Sequence, residues 1–390
     1  MKMTRRFRGG LEQYCERTPV PTSTFRAPDV FLFGAGSLEE LGEQTSRLGG
    51  RAVLVTGRQA MAEAGFTERA LSNLKAAGVQ ATVFDEVEPE PDVTTVDRLR
   101  EVLARADAEV AVGLGGGSAM DAAKVAAGLV HETRPTRDFH EGAETGEPGI
   151  PMVAVPSTSG TGSEMTSNGV ISDRASGHKA SIRHPGMVPA VALVDPKVTL
   201  FCPPRVTAMS GVDAMVQAIE SYLSRHATPM TEAIALRAVA ELARALPGVV
   251  TRGDDLDLRT AAAWGSTMAG LALSNARLGV VHGMASAVGI RYGIPHGLVC
   301  GVLLPGALEY NREAAGEKFD RLHDILGGDP VGYAQALLVA CGLPLRLNEY
   351  GLDPSDFPAI ARESMTSGST KANPRQVTET DVVRLLEQVA

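Results

Sequence analysis

The stretch that decides the fold is EVAVGLGGGSAMDAAK, residues Glu109–Lys124. A short apolar run leads into three glycines, Gly115–Gly117, and then into a segment with helical composition. This order predicts a strand, a tight turn and a helix whose first backbone N–H groups face whatever lies above the strand. Phosphate is the expected occupant, because glycines let a ligand approach the backbone and Ser118 can donate to a phosphate oxygen. The stretch matches neither G-x-G-x-x-G nor a loop ending in GK[ST], and a tight turn without a ligand is the alternative.

Short β-branched runs recur around this stretch, between residues 30 and 196. They are RAVLVTG (51–57), VQATVFDEV (79–87), EVAVGLGGG (109–117), PMVAVPST (151–158) and PAVALVDP (189–196), with helical segments between several of them. This alternation predicts an α/β domain with a largely parallel sheet. After Pro203, long Ala-, Leu- and Met-rich segments replace the strands and predict an all-helical domain, with residues 364–375 as a loop before a last helix. We therefore expect two domains, residues 1–196 and 197–390.

Composition and charge exclude several classes of partner. The 390 residues carry a formal net charge of −9, which argues against nucleic acid and anionic membrane surfaces. The apolar stretches are too short and too rich in glycine to span a bilayer, and residues 1–19 contain no apolar run of signal-peptide length. We therefore expect a soluble, cytoplasmic protein. The cysteines form no CxxC pair, which favours free thiols over a thiolate zinc site: Cys15, Cys202, Cys300 and Cys341.

A second polar cluster, Val155–Asp173, follows the fourth β-branched run. Its sequence, VPSTSGTGSEMTSNGVISD, is dense in hydroxyl residues and glycines. Loops of this kind at the carboxyl ends of strands bind ligands in α/β domains, and a flexible linker of similar composition is the alternative. The candidate donors to ribose or carboxamide groups are Ser157, Thr158, Thr161 and Ser163.

Several charged side chains near these clusters have more than one interpretation. Asp121, in the first turn after the glycines, is a candidate cofactor residue, and a solvated i, i+3 pair with Lys124 is the alternative. His178 and His184 flank a predicted loop, and we expect both at the surface.

The helical half contains a candidate metal site. Asp213 and Gln217 are one helical turn apart in SGVDAMVQAIESY and therefore share a helix face. With His282 and His296, fourteen residues apart, Asp213 completes an Asp/His/His set suited to Zn or Fe(II) with positions open for substrate. Gln217 is a weak ligand through its amide oxygen, a partner of a metal water, or a supporting residue. The alternative is a helix-capping aspartate, two core histidines and a glutamine on a helix face.

Five motifs, in this order, resemble the iron-containing (group III) alcohol dehydrogenases. The resemblance extends from FLFGAGSLEEL near residue 31 to the ANPR segment near the C-terminus. It rests on LGGGSAMDAAK (114–124), PSTSGTGSEMTSNGVI (156–171), GVDAMVQAIESYLS (211–224), GVVHGMASAVG (279–289) and IPHGLVCGVLLP (294–305).

The resemblance implies an N-terminal dinucleotide-binding domain and a helical domain, with a metal in the cleft between them. Asp213, His282 and His296 match three metal ligands of the family. The fourth ligand position, usually His, is Gln217, and a family histidine suspected of proton relay is Ser286. The three-ligand core also resembles the zinc set of the related glycerol dehydrogenases, so the implied metal is Fe(II) or Zn.

The same resemblance assigns the cofactor residues. Gly116, Gly117 and Ser118 would hold the pyrophosphate, Ser157 and Thr158 would contact the nicotinamide or its ribose, and Lys179 would reach a ribose hydroxyl. Where many members place an Asp after the first strand, this chain has Gly57 followed by Arg58. The missing carboxylate no longer repels a 2′-phosphate and Arg58 can pair with one, so NADPH joins NADH as a candidate.

The substrate is a small alcohol or aldehyde. Arg277 and Arg291 lie in the segments that flank the metal histidines, where small or apolar residues are expected. One interpretation is an outward-facing arginine on a helix. The other is an anionic aldehyde, a carboxylate or phosphonate, held by one of these guanidinium groups.

These residues predict a metal-dependent, NAD(P)-linked alcohol dehydrogenase or aldehyde reductase, in which the metal polarises the substrate oxygen and hydride moves to or from the nicotinamide. One alternative is a metal- and NAD-dependent lyase of the dehydroquinate synthase type. Another is a nucleotide-binding homologue with impaired catalysis, suggested by Gln217 and Ser286. The family commonly forms dimers or larger assemblies, so we expect a homo-oligomer, most simply a dimer.

Overall fold

The computed structural model describes residues 22–146 and 149–390. Cys15 and the rest of residues 1–19, for which we expect no signal peptide, lie outside these residues. Six strands form one sheet, in the order β1-β8-β5-β4-β2-β3, and every neighbouring pair is parallel. The predicted α/β domain with a parallel sheet is therefore confirmed. β6 and β7 form a separate two-stranded sheet. The eight strands of the described residues are β1 Val30–Phe33, β2 Arg51–Gly57, β3 Gln80–Val87, β4 Val110–Gly115, β5 Met152–Pro156, β6 Asn168–Asp173, β7 His178–Arg183 and β8 Val191–Val194.

Each of the five β-branched runs supplies a strand of this sheet, for a simple packing reason. Every residue of β4 and of β8 is buried, because helices cover both faces of a parallel sheet and leave no polar face. Edge strand β3, in contrast, exposes most of its residues. The sequence runs did not identify edge strand β1, nor the antiparallel hairpin of β6 and β7. The loop predicted between His178 and His184 is wrong, since β7 begins at His178.

The helices fall into two groups. Those among the strands are α1 Leu41–Ser46, α2 Ala60–Glu63, α3 Phe66–Ala76, α4 Val93–Arg105, α5 Gly117–Gly128 and α6 Thr136–His140. Those that follow are α7 Pro204–Leu223, α8 Pro229–Thr251, α9 Leu256–Ala276, α10 Val280–Tyr292, α11 His296–Ala315, α12 Glu317–Leu326, α13 Pro330–Ala340, α14 Phe357–Thr366, α15 Gly368–Ala372 and α16 Glu379–Glu387. The loop predicted for residues 364–375 is wrong in part, because α15 forms inside it. Among the described residues, no helix is long and apolar enough to cross a membrane.

The strand order creates a crevice at the carboxyl ends of two central strands, β2 and β4. From β2 the chain passes to β3 on one side and then crosses to β4, which pairs with β2 on the other side. The carboxyl ends of β2 and β4 therefore flank a topological switch point, where parallel α/β sheets bind ligands. The glycine turn follows β4, and Arg58 follows β2 directly.

Helix α7 is the centre of the helical half. It packs against α8, α9 and α11, and its residues from Gly211 to Leu223 are all buried. A helix surrounded in this way cannot direct its polar side chains to solvent. Its three polar residues with amide or carboxylate groups, Asp213, Gln217 and Glu220, therefore need partners inside the protein.

A buried lysine joins the glycine-turn helix to the second polar cluster. The Lys124 side chain is 1% exposed, and its ammonium lies 2.6 Å from the Ser163 carbonyl, 2.9 Å from the Thr166 hydroxyl and 2.9 Å from the Asn168 carbonyl. Burial lowers the Lys124 pKa to about 8. The alternative of a solvated pair between Asp121 and Lys124 is therefore wrong, because the fold buries α5 against β6 and the loop before it.

We predict that Lys124→Met lowers the free energy of unfolding by about 3 kcal/mol, because the carbonyl and hydroxyl acceptors lose their shared donor while they stay buried. Chemical denaturation monitored by circular dichroism measures the change. Lys75→Met, at an exposed position on α3, is the control and should change stability by less than about 0.5 kcal/mol. Equal stability of the two variants would contradict the structural role of Lys124.

Candidate metal and cofactor site

Three helices bring the candidate metal ligands together. Asp213 lies in the middle of α7, His282 in the first turn of α10 and His296 at the first position of α11. Asp213 Oδ1 is 3.3 Å from His282 Nε2 and 3.9 Å from His296 Nε2. Asp213 Oδ1 and His282 Nε2 are buried without a hydrogen-bond partner among the described residues. Unpaired buried acceptors that converge on one point fit a divalent cation, which would satisfy them at once.

Gln217 contributes to this site by holding the aspartate. Its Nε2 donates to Asp213 Oδ2 over 2.8 Å, which directs Oδ1 of the same carboxylate toward the histidines. The other amide atom, Oε1, is buried without a partner among the described residues. The structure therefore shows the Gln217 amide in contact with Asp213, a candidate metal ligand.

Glu220, on the same face of α7, is a site residue that the sequence analysis missed. Its Oε2 is 2.7 Å from His282 Nδ1, and its Oε1 accepts from the Val281 backbone N–H over 2.7 Å. A Cβ on Gly279 would lie 2.6 Å from Glu220 Oε1, so glycine is required for this approach. The carboxylate thus holds the start of α10 and fixes the His282 ring with Nε2 toward Asp213. The sequence feature that could have identified Glu220 is its spacing, since a residue seven positions after Asp213 lies on the same helix face.

Cys300 is the second residue that the sequence analysis missed. It lies one turn after His296 on α11, is fully buried, and its Sγ is 3.5 Å from His296 Nε2. The ligand atoms of Asp213, His282, His296 and Cys300 all lie within 4.8 Å of one another. Cysteine spacing did not indicate this position, because helix packing rather than a CxxC motif brings the Cys300 thiol to the other candidate ligands.

The electrostatics of the cluster follow from burial and from charge. Burial lowers the His296 pKa to about 4, which keeps this imidazole neutral and able to bind a metal. Burial also lowers the His282 pKa, but Cys300, Asp213 and Glu220 outweigh it, and the pKa lies well above its usual value. Burial raises the Asp213 pKa, but the two histidines outweigh it and the net pKa is lowered. The Cys300 pKa is raised to about 12 by burial.

The glycine turn and the second polar cluster face each other at the switch point. A Cβ on Gly116 would lie 3.6 Å from Thr158 Cγ2, and one on Gly117 would lie 2.6 Å from Thr161 Cγ2. Ser157 is buried, and its N–H donates to the Gly115 carbonyl. The space above the turn is therefore bounded by hydroxyl side chains on one side and by the N-terminus of α5 on the other.

Asp121 and Ser118 make contacts within the protein in this region. Asp121 accepts from the Ser163 hydroxyl over 2.5 Å and from the Val170 N–H over 2.9 Å, and burial raises its pKa. These contacts fix the second polar cluster against α5. The Ser118 hydroxyl accepts from the Glu90 N–H over 3.2 Å.

Lys179 connects the two halves of the candidate site. It lies on β7, its ammonium is 2.8 Å from Glu90 Oε1, and β7 packs against α10. The charges of Lys179 and Glu90 both influence the pKa of His296, the first lowering it and the second raising it. This ion pair therefore lies between the switch point and the candidate metal ligands.

The remaining predicted residues lie in different surroundings. Arg58 is exposed after Gly57, and Ser286 is half-buried one turn after His282. Arg277 is exposed at the end of α9 with φ 63° and ψ −170°, a strained conformation for a side chain with a Cβ. Desolvation lowers the pKa of Arg183 on β7, and the positive charge of Arg277 lowers it further. Arg291 is exposed in the last turn of α10, nine residues after His282 and so on the opposite side of that helix.

Comparisons with known proteins agree with this geometry. The model for "iron-containing alcohol dehydrogenase" matches residues 28–196, and that for the C-terminal part of the Fe-containing alcohol dehydrogenase family matches residues 207–390. The probable alcohol dehydrogenase EutG of Escherichia coli (strain K12) is 34% identical over 370 residues, which cover 93% of each chain.

Solved structures show the same similarity. A 1,3-propanediol oxidoreductase superimposes with a TM-score of 0.91 at 32% identity, covering 95% of this chain and 100% of that one. Sulfoacetaldehyde reductase from Bifidobacterium kashiwanohense, in complex with NAD+, superimposes with a TM-score of 0.88 at 28% identity, covering 95% and 99%. The resemblance found in the sequence motifs is thereby confirmed, and the chain belongs to the iron-containing alcohol dehydrogenase family.

Proposed function

We propose that this enzyme is a metal-dependent, NAD(P)-linked dehydrogenase that interconverts a small alcohol and its aldehyde. The observation that carries the proposal is the convergence of Asp213, His282 and His296, with unpaired buried ligand atoms, beside the Lys179–Glu90 pair. The relatives support it, since they are named as alcohol dehydrogenases, an oxidoreductase and an aldehyde reductase. Residues 1–196 would bind the nucleotide and residues 197–390 the metal.

The chain's own residues hold and align the reactants in this proposal. When bound, the metal supplies Lewis acidity toward the substrate oxygen, and the nicotinamide supplies the hydride donor or acceptor. Asp213, His282 and His296 would hold the metal, with Glu220 fixing the His282 ring. The dinucleotide would lie along the glycine turn, with Gly116, Gly117 and Ser118 at the pyrophosphate and Ser157 and Thr158 near the nicotinamide. Lys179 would donate to a ribose hydroxyl, and Ser286 would lie on the proton path to water.

The contacts of Gln217 and Asp121 refine two assignments. Gln217 would act on the metal through Asp213, because its amide already donates to that carboxylate. Asp121 would act on the cofactor through Ser163, because both its oxygens already accept hydrogen bonds within the protein. Both residues are then positioning residues.

An anionic substrate is the finer part of the proposal. The charge of Arg277 on α9 lowers the pKa of Arg183 on β7, after desolvation, and neither guanidinium group forms an ion pair among the described residues. Two guanidinium groups without a counterion favour a carboxylate, sulfonate or phosphonate between them. The reductase of a sulfonated aldehyde among the structural relatives supports this choice. The position of Arg291, on the opposite side of α10 from His282, favours the surface role for that residue.

The proposal includes a cytoplasmic homodimer. The supporting feature is β1, an edge strand that exposes Phe31 and leaves one side of its backbone without a partner strand in the described sheet. Pairing with β1 of a second copy would cover this edge, and light scattering with size-exclusion chromatography tests for a dimer.

We predict that metal removal abolishes aldehyde-dependent oxidation of NAD(P)H and that reloading with Fe(II), Zn or Co restores it. The assay is a panel of neutral and acidic aldehydes with NADH and with NADPH. Net consumption of NAD(P)H also separates this proposal from a lyase that recycles its cofactor. Activity that persists in metal-free protein would rule out the proposed metal dependence.

We predict that Glu220→Gln weakens metal affinity by about 10- to 100-fold, because the amide orients the His282 ring less firmly than the carboxylate does. Chelator competition measures the affinity. Glu241→Gln is the matched control, since Glu241 is a buried glutamate on α8 that pairs with Arg237 and Arg244 instead. Unchanged affinity in Glu220→Gln would contradict the role given to Glu220.

We predict that Arg58→Ala raises the KM for NADPH by about tenfold and leaves the KM for NADH within about twofold, because a charge-assisted contact with the 2′-phosphate is lost. Steady-state kinetics with both cofactors measures the ratio. Arg105→Ala, at an exposed position of α4, is the control. Equal changes for the two cofactors would show that Arg58 does not recognise the 2′-phosphate.

We predict that Arg277→Ala raises the KM for acidic aldehydes by about tenfold and leaves the KM for neutral aldehydes nearly unchanged, because one of two cationic groups is lost. Arg277→Lys retains the charge and should retain most of the preference, and Arg291→Ala is the matched control. An unchanged KM for acidic aldehydes in Arg277→Ala would rule out the anionic subsite and leave the dehydrogenase proposal intact.

A further inference from the structure

The candidate metal site lacks a strong ligand at the fourth ligand position, where the family usually has a histidine. Gln217 occupies that position, and an amide oxygen is a weaker donor to a transition metal than an imidazole. The Gln217 amide is already used, since its Nε2 donates to Asp213 Oδ2. A cation held only by Asp213, His282 and His296 would therefore have one protein ligand fewer than the family's set.

Cys300 Sγ lies where a fourth ligand is required. Tetrahedral coordination by nitrogen, oxygen and sulfur places the ligand atoms about 3.3–3.6 Å apart, given usual metal–ligand distances of about 2.0–2.3 Å. The observed separations are 3.3 Å from His282 Nε2 to Asp213 Oδ1 and 3.5 Å from His296 Nε2 to Cys300 Sγ. All four atoms lie within 4.8 Å of one another, so small side-chain rotations complete the geometry.

Within the described residues, the Cys300 thiol contacts only the other candidate ligands. Cys300 is fully buried, and its thiol contacts His296, His282 and Asp213, which are themselves the candidate ligands. The two other described cysteines, Cys202 and Cys341, are free and lie outside the cluster. A second feature points into the same space: Asp213 is 4% exposed, and its Oδ1 has no hydrogen-bond partner within the described part of the chain.

We propose that the Cys300 thiolate is the fourth protein ligand of an Asp/His/His/Cys metal site that selects Zn²⁺ over Fe²⁺, tetrahedral before substrate arrives and five-coordinate when the substrate oxygen binds. This inference rests on the proposed metal-dependent function. On binding, the sulfur–hydrogen bond breaks, the proton passes to solvent and the sulfur electron pair forms the bond to the metal, with no change of oxidation state. A coordinating thiol is deprotonated in this way because the cation replaces the proton.

Charge and ligand chemistry both favour zinc at this set. One carboxylate and one thiolate among the ligands match the charge of a divalent cation, and the Glu220 carboxylate behind His282 adds a further negative charge that holds the cation. Thiolate is a soft ligand that binds Zn²⁺ strongly, and two nitrogens with sulfur and oxygen suit its tetrahedral preference. In this proposal, Gln217 stands where the family usually has a histidine ligand, and Cys300 on α11 supplies the fourth ligand instead.

The test uses the full-length protein loaded with Zn²⁺ or with Co²⁺. In the cobalt form we expect a near-ultraviolet thiolate-to-cobalt charge-transfer band, and in the zinc form X-ray absorption should show one sulfur at about 2.3 Å. Cys300→Ser and Cys300→Ala should lose both signals and weaken Zn²⁺ binding by about tenfold or more, as judged by chelator competition. Cys202→Ser, which changes a half-buried cysteine outside the cluster, should retain both signals. Circular dichroism of the metal-free variants establishes that each is folded.

Each outcome decides between the two proposals. Cobalt bound at one equivalent without the thiolate band, or zinc coordinated only by nitrogen and oxygen, would overturn the role of Cys300 and identify Gln217 or water as the fourth ligand. The metal-dependent function would stand in that case. Unchanged Zn²⁺ affinity in both Cys300 variants would have the same meaning. A protein that binds neither metal would overturn this inference together with the proposed function.

Discussion

The burial of the Asp213 carboxylate beside two imidazoles is the constraint on which the helical half depends. A carboxylate that is 4% exposed needs compensation, and the structure supplies it from three helices. Gln217 donates to one oxygen, while the other faces His282 and His296. Because this cluster is polar, it contributes little to folding by itself. The hydrophobic packing of α7 against α8, α9 and α11 holds the ligands in place.

A network of buried hydrogen bonds also fixes the loop that faces the glycine turn in the proposed cofactor-binding half. Asp121 and Lys124, both on α5, bind the loop that contains Ser163, and the same loop faces the glycine turn. These buried contacts give the hydroxyl-rich segment a single conformation, so the glycine turn and its facing side chains are organised before a ligand arrives. The hairpin of β6 and β7 continues from this loop and carries Lys179 to the metal cluster.

Backbone strain occurs close to the proposed ligand contacts. Glu90, which pairs with Lys179, has φ 54°, and Arg277 has φ 63°. Neither residue is glycine, so each conformation costs free energy that the surrounding packing must offset. Glu90 gains its N–H contact with Ser118, and Arg277 ends α9 directly before the turn into α10. At Glu90 this conformation accompanies the ion pair of its carboxylate with Lys179.

The sequence by itself determined the parallel α/β sheet, the glycine turn, the helical second half and the Asp/His/His set. These features follow from local patterns, since burial of both sheet faces requires apolar runs, a tight approach requires glycine, and ligand chemistry requires particular side chains. Only the tertiary structure decided that Glu220 holds His282, that Cys300 reaches the metal cluster, and that Lys124 is buried rather than solvated. Each of these depends on how separate helices and loops pack, and Cys300 and Asp213 are 87 residues apart in the sequence. The β6–β7 hairpin was missed for a related reason, because NGVISD and HKASIR contain no continuous apolar run and become strands by pairing with each other.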